Sequence, residues 1–540
     1  MNKIKYALLP VAAIALVGMS TSCQKDPLDL GPEDYYGSRN YWKSEAHVVG
    51  YADGLHSSLR GHYGTHTITF GELRSGIYVD GTSSDGMTTT GGDIRLQNFD
   101  ADHTGVTNYA NIFGRIINCN LLIARAPLVE MDEAKRNFIM AQAYGLRAFY
   151  YFDLYRNWGG VPLRLDVAVI DGELDPQKLY MPQAKPSEVM AQIKSDLTKS
   201  LELFGSQTSF DPYSRGAKKG YWSKAATEAL AADVYLWNGK VSIGDNAANP
   251  ADLSIAKQHL NSLLTNYGLG LESQFTNIFA TNNKGNKEVI IAIRFQEGEA
   301  TNHNGYWTYS GDTGAVSANG YRADGTRWND PLNVKRGFTM AYEYIHEMYN
   351  QFDAEDTRRN ATFYPSFLKD ADGNLTLYGL HTQKNIGSIN SSGDRVFDGD
   401  YILYRLPWVY LSLAEIANYE GNDGDVVKYI NLVRERAYGA NWNVATYGYT
   451  AGDFTQNELA ILKEKDKEFI QEGQRWWDLR RMTLTKNGTP LVFTPEGNFG
   501  KTPLLNQATE SHKLLWPLDK TLLGKEKLLE QTPGYAKAGE

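Results

Sequence analysis

The chain has 540 residues, 42% of them hydrophobic, and a net charge of −9. That length and apolar content can bury a large core, and the acidic balance excludes a nucleic-acid partner, whose phosphates demand basic surface. Two cysteines are too few for a disulfide framework.

In chain order, Lys3 and Lys5 precede an apolar stretch from Ala7 to Met19 and the small residues Ser20, Thr21 and Ser22. This is the layout of a secretory signal peptide. The stretch is too short to span a bilayer, which takes roughly 20 apolar residues. Cys23 follows directly, so its thiol is the expected lipidation site and the mature chain is expected to be membrane-anchored rather than embedded. Ser20 stands where a lipobox usually has Leu. Cys119, within Ile116 to Leu121, is then left without a partner and reads as a buried, inert thiol.

Thr65 to Asp102 is Gly-, Thr- and Ser-rich and reads as a long loop. Helical spacing of apolar residues predicts helices over Asp132 to Arg156, from Pro186 onward, and over Lys224 to Trp237 and Asp252 to Leu264. Trp158, Gly159, Gly160 and Pro162 stop the first of these. Glu288 to Phe295 alternates as a strand does. A polar, Gly- and Asn-rich region follows and carries Tyr306, Trp307, Tyr309, Tyr321 and Trp328. Helices are predicted again over Trp408 to Tyr419, Asp425 to Arg436 and Glu458 to Glu472. The whole reads as a mainly α scaffold of tetratricopeptide-like helical hairpins, about four pairs, with loop-rich, partly β insertions.

Several stretches resemble the RagB/SusD family. They are Leu146 to Leu154 with Trp158 to Leu163, Tyr404 to Leu406 with Leu411 to Ala417, and Asn431 to Ala437. The most specific lies in Glu464 to Arg481: Glu468, Phe469, Glu472, Gly473, Arg475, Trp476, Trp477, Asp478, Leu479 and Arg481. Trp516, Pro517 and Gln531 to Tyr535 extend the likeness to the end, with Thr532 in place of the usual Asn. The resemblance implies a signal peptide over 1–22, an N-terminal region over 23–268 and a C-terminal region over 269–540, packed as one globular body. It also implies a surface lipoprotein of the outer membrane that captures oligosaccharide or polysaccharide for a SusC-like TonB-dependent transporter. Peptide or glycoprotein cargo is the alternative, and a surface glycoside hydrolase a weaker one.

The motif residues read as structural. Gly473 permits a tight junction, Arg475 and Asp478 suit charge-assisted bonds there, and Trp476 and Trp477 fill core. Catalytic signatures are missing: His346 and Glu347 lack a second His at Asn350, and no single carboxylate pair stands out. No catalytic residue, metal or cofactor is expected. His56, His62 and His66 imitate metal-ligand spacing, and Asp370, Asp372, Gly373 and Asn374 imitate the start of a calcium loop. A hairpin turn between Phe367 and Leu377 is the preferred reading, structural calcium the secondary one.

Ligand contacts are expected from the two loop regions, since long loops carrying rings favour function over disorder. Tyr306, Trp307, Tyr309 and Trp328 are candidate stacking rings for pyranose C–H faces. Arg74, Asp80, Asp85, Arg95 and Asn108 are candidate hydroxyl partners.

Overall fold

The structure, a computed structural model, describes residues 41–80, 89–106, 109–167, 179–216, 218–302, 319–334 and 342–536. Helices form its frame. The N-terminal block holds α1 (Glu45–Ser58), α2 (Tyr109–Arg125), α3 (Glu133–Trp158), α4 (Pro186–Phe204), α5 (Lys224–Lys240) and α6 (Asp252–Asn266). The C-terminal block holds α7 (Leu406–Glu420), α8 (Asp423–Tyr438), α9 (Phe454–Glu468) and α10 (Arg475–Arg481). From α2 to α6 each helix packs on the next, and α7 joins the blocks by packing on α6 as well as on α8 and α9. This is the helical-hairpin scaffold that the apolar spacing predicts.

The central helix, α3, shows how the sequence sets an element. Asp132 caps it, its carboxylate accepting from the Lys135 amide at 2.8 Å. Gly159, at φ +75°, ends it. Every residue from Gly145 to Trp158 is buried, as befits a helix enclosed on all sides. Its buried charged residues Arg147, Asp153 and Arg156 are paired. Arg147 holds Asp196 of α4 with two bonds, at 2.8 and 2.6 Å.

Strands fill the middle in antiparallel pairs: β1 (Tyr78–Asp80), β2 (Val289–Ile293), β3 (Tyr342–Tyr344), β4 (Phe363–Lys369), β5 (Leu375–Thr382), β6 (Ser388–Ile389), β7 (Arg395–Val396) and β8 (Tyr401–Arg405). They pair as β1–β3, β2–β8, β4–β5 and β6–β7. One hydrophobic cluster runs from Val48 in α1 to Leu518 near the C-terminus. Cys119 lies inside it, and burial pushes its thiol up to about 12. Among the described residues no helix is long and apolar enough to cross a membrane.

Two expectations are corrected. Thr65–Glu72 is not loop but a buried π-helical segment, and α9 stops at Glu468 instead of Glu472. One junction accounts for both. Gln471 and Gly473 adopt positive φ, 65° and 71°, turning the chain so that Gly473 lies against the π-helical segment. The Gly473 amide donates to Glu72 Oε1 at 3.0 Å. A Cβ on Gly473 would sit 2.7 Å from Thr67 Cα, and one on Gly71 would sit 2.1 Å from the Gly473 oxygen. Only glycines allow that approach. Around it, Trp476 and Trp477 are buried, Arg475 pairs with Asp466, and Asp478 accepts from Lys465 at 2.8 Å and Arg481 at 2.6 Å.

Candidate ligand-binding site

The register of β1 on β3 pairs Asp80 with Tyr342 and Tyr78 with Tyr344. The chain therefore runs into residues 81–88 and comes back from 335–341 at one end of a single short ribbon. The ribbon is tied down behind that end. Tyr78 Oη and Tyr344 Oη both donate to Glu72 Oε2, at 2.6 and 3.0 Å. Burial pushes the Glu72 carboxyl up, against the hydrogen bonds it accepts from Tyr78 and Gly473. Glu343 Oε1 accepts from the Leu380 amide at 3.1 Å, joining the ribbon to β5.

The second region is anchored on β4 and on the segment between β7 and β8. Asn302 is held by the Phe397 carbonyl at 2.8 Å and the Gly399 carbonyl at 2.9 Å. The chain rejoins at Tyr321, which exchanges backbone bonds with Phe367 of β4 at 2.8 and 2.9 Å. Two regions more than two hundred residues apart in sequence thus share one support.

The expected site residues separate into three groups. Cys23, Asp85, Asn108, Tyr306, Trp307 and Tyr309 lie outside the described residues. Asp80 closes β1, and Arg95, partly exposed, closes the short helix Thr89–Arg95. Trp328 and Arg74 are corrected, because both are 0% exposed. The Trp328 ring packs 4.4 Å from His381 and edge-on to Tyr364 at 5.5 Å, leaving no face for a sugar. Arg74 sits over the rings of Trp476, Phe99 and Trp516 at 4.2, 4.7 and 4.7 Å. Its Nε donates to Gln97 at 2.8 Å, and burial lowers its guanidinium to about 9. A planar cation is well held by such a cage.

The histidine triplet also comes apart. His56 Nδ1 lies 2.8 Å from the Ala52 carbonyl and its Nε2 accepts from the Trp222 amide at 2.9 Å. His62 and His66 instead meet Asp153 of α3, Nε2 and Nδ1 lying 2.7 and 2.8 Å from Oδ2. Arg156 holds the other carboxylate oxygen at 3.0 Å. The ligand atoms of His62, His66 and Asp153 fall within 4.8 Å of one another. Their hydrogen-bond spacing is tighter than the roughly 3.3 Å expected between tetrahedral ligands of a zinc ion bound at about 2.0 Å, and a guanidinium already neutralises the carboxylate. The group serves as a polar tie between α3 and the π-helical segment. At the other imitation site, Asp370 accepts from the Asp372 and Asn374 amides at 3.0 and 2.8 Å, closing the β4–β5 hairpin turn.

Sequence reasoning missed a cavity of about 410 Å³ between α1 and the end of β2, lined in part by Arg60, Tyr221, Arg294 and Glu299. Arg60 and Glu299 are 239 residues apart, so no local pattern could have linked them.

Comparison with known proteins agrees with this architecture. A family model described as the SusD family matches residues 273–535, and one described as "Starch-binding associating with outer membrane" matches residues 75–236. A SusD superfamily protein of Bacteroides fragilis, known from its crystal structure, is 57% identical, with a TM-score of 0.87 over 92% of this chain and 100% of that one. The chain belongs to the SusD family. NanU of B. fragilis is also similar, 31% identical with a TM-score of 0.79, covering 94% of this chain and all of that one. SusD-like protein P2 of Formosa agariphila is 27% identical over 99% of this chain and 100% of its own length.

The SusD motifs turn out to meet in one buried ion cage. Glu468 accepts from Arg358 at 2.8 Å and also from Arg405 and Arg436. Glu472 accepts from Arg405 Nε at 2.8 Å and from Lys384 at 2.5 Å. Glu288, which opens β2, accepts from Arg405 and Arg436 at 3.0 and 2.9 Å. Burial alone would raise the Glu468 carboxyl, but Arg436, Arg405 and Arg358 outweigh it and hold the group below the usual carboxylate range. The motif residues thus secure β2, β8, α8 and α9 to one another.

Proposed function

We propose that this SusD-family protein is a cell-surface glycan-binding lipoprotein that captures oligosaccharide or polysaccharide and passes it to a SusC-like TonB-dependent transporter, without chemistry of its own. The observation that carries the reading is a shared support: the β1–β3 ribbon, from which the chain enters the first loop region, is tied to β5, whose hairpin partner β4 receives the chain at Tyr321 after the second, aromatic-bearing region. The family description, starch binding in association with the outer membrane, supports both the ligand class and the location. Cys23 would carry the lipid anchor.

Tyr306, Trp307 and Tyr309 would stack on pyranose faces, while Asp80, Asp85, Arg95 and Asn108 pair with hydroxyls. Shallow stacking with a few hydrogen bonds gives micromolar to millimolar affinity, about −8 to −4 kcal/mol. Weak capture suits a protein that must release its cargo inward.

The test is affinity electrophoresis of the chain from Gln24 onward through gels containing plant, host or microbial polysaccharides, with Trp307→Ala alongside. The expected result is retardation by one glycan class, abolished or reduced at least tenfold in Trp307→Ala, with the glycan left intact. No retardation by any polysaccharide would turn the reading to peptide or glycoprotein cargo, and shortening of the glycan would reveal a hydrolase.

A further inference from the structure

The cavity beside α1 concentrates positive charge at a partly open surface. In a chain of net charge −9, three arginines, Arg60, Arg215 and Arg294, gather there against two carboxylates, Asp53 and Glu299. Arg215 pairs with Asp53, and its guanidinium lies over the Tyr221 ring at 3.8 Å. The other two arginines share Glu299. Arg60 pairs with Glu299 Oε1, and Arg294 Nε lies 3.7 Å from Glu299 Oε2.

The three partners of that shared contact are not equally fixed. Arg60 Nε donates to the Arg294 carbonyl at 2.7 Å, and Arg294 donates to Gln296. Each guanidinium therefore has a contact besides Glu299, Arg60 to a backbone carbonyl and Arg294 to the exposed Gln296 side chain. Glu299 itself stands in a tight turn closed by the Gln296–Ala300 backbone pair, at 2.9 and 3.0 Å, and its side chain is 45% exposed. An ion pair so open to water holds weakly. A second, separate cavity of about 390 Å³ lies on the other side of Arg294, lined also by Lys284 and Asp398.

We propose that this recess binds a carboxylated sugar residue, the ligand's carboxylate taking the place of Glu299 between Arg60 and Arg294. Two guanidiniums gathered on one carboxylate can recognise another through charge-assisted bonds, and Arg60, already held by a backbone carbonyl, loses little freedom in doing so. Glu299 acts as a resident stand-in that keeps the arginines apart from other anions until an acidic glycan displaces it. Ser57 and the Tyr221 rim border the space where the pyranose would lie. The inference rests on the glycan-binding reading and narrows it to acidic glycans.

The experiment uses the chain from Gln24 onward, which keeps every described residue. Polygalacturonate, alginate and hyaluronan are each compared with their carboxyl-reduced forms by affinity electrophoresis, with dextran sulfate and neutral glucans and mannans as further arms. At least one carboxylated polymer is expected to bind tenfold or more tightly than its reduced form. Arg60→Gln and Arg294→Gln should each lower that affinity at least tenfold. Glu299→Gln should raise it severalfold, an effect that a structural role for Glu299 would not produce. Unchanged affinity after carboxyl reduction, binding of dextran sulfate alone, or weaker binding by Glu299→Gln would overturn the proposal. Retention of neutral glycans only would overturn it and leave the glycan-binding reading standing, whereas retention of none would remove both.

Discussion

With His381 packed beside its ring and Tyr364 set edge-on, Trp328 contributes to stability rather than to recognition. Trp328→Ala is expected to lower the unfolding free energy by about 3–5 kcal/mol, read from urea denaturation, while the folded fraction keeps its glycan affinity. A loss of affinity with stability unchanged would return Trp328 to the site. His56 offers a second test at this scale. Burial holds its imidazole down to about 4, so the folded protein resists a proton that the unfolded chain takes up near 6.5. The associated stability is complete above the unfolded value and is lost as pH falls towards the folded one. Between pH 7 and 5 that amounts to about 2 kcal/mol, and His56→Gln should show a pH-dependent loss smaller by this amount in denaturant titrations at the two pH values. The burial of Trp328 and Arg74 was not legible in the sequence. A ring or cation in a polar stretch looks exposed until its distant partners are known, and those of Arg74 include Trp476 and Trp516. Cys119 was legible because the apolar residues around it are its immediate sequence neighbours.

Among elements, the helix with local signals at both ends was readable: the span of α3 from Asp132 to its Gly159 stop, whereas α9 begins at Phe454 behind the Asp453–Gln456 capping box, four residues before the predicted Glu458. The β4–β5 hairpin was readable for the same reason, since its turn is made by Asp370 and the residues just after it. The π-helical segment and the early end of α9 were not. They are fixed by a contact between Glu72 and Gly473 across 401 residues, which no window of sequence contains. The β1–β3 ribbon is three residues long on each side, too short to register as a pattern. The Gly473 junction makes a direct prediction. Gly473→Ala places a Cβ 2.7 Å from Thr67 Cα at φ +71°, and the strain and displaced backbone should cost about 2 kcal/mol or more, seen as a lowered urea midpoint. Full stability in that variant would mean the two segments can separate without consequence.

At the scale of the whole molecule, a buried ion cage and one large hydrophobic cluster hold the helical body together. Residues distant in sequence, Glu288, Arg405, Arg436, Glu468 and Glu472, need one another: each is buried, and each charge is compensated by its neighbours. Removing one partner of such a group leaves an uncompensated buried charge, which ties the scaffold motifs to folding; the proposed glycan contacts lie outside it. The family likeness was legible because several of these scaffold residues occur in compact runs, whereas the candidate loop contacts were chosen by residue type alone. The measurement that tests this division most directly is hydrogen–deuterium exchange of the chain from Gln24 onward, with and without the polysaccharide that retards it. The account predicts slowed exchange in the peptides covering residues 77–96 and 294–345, and unchanged exchange in α3, α7 and α9. Protection confined to the helical scaffold, with those two regions unaffected, would contradict it.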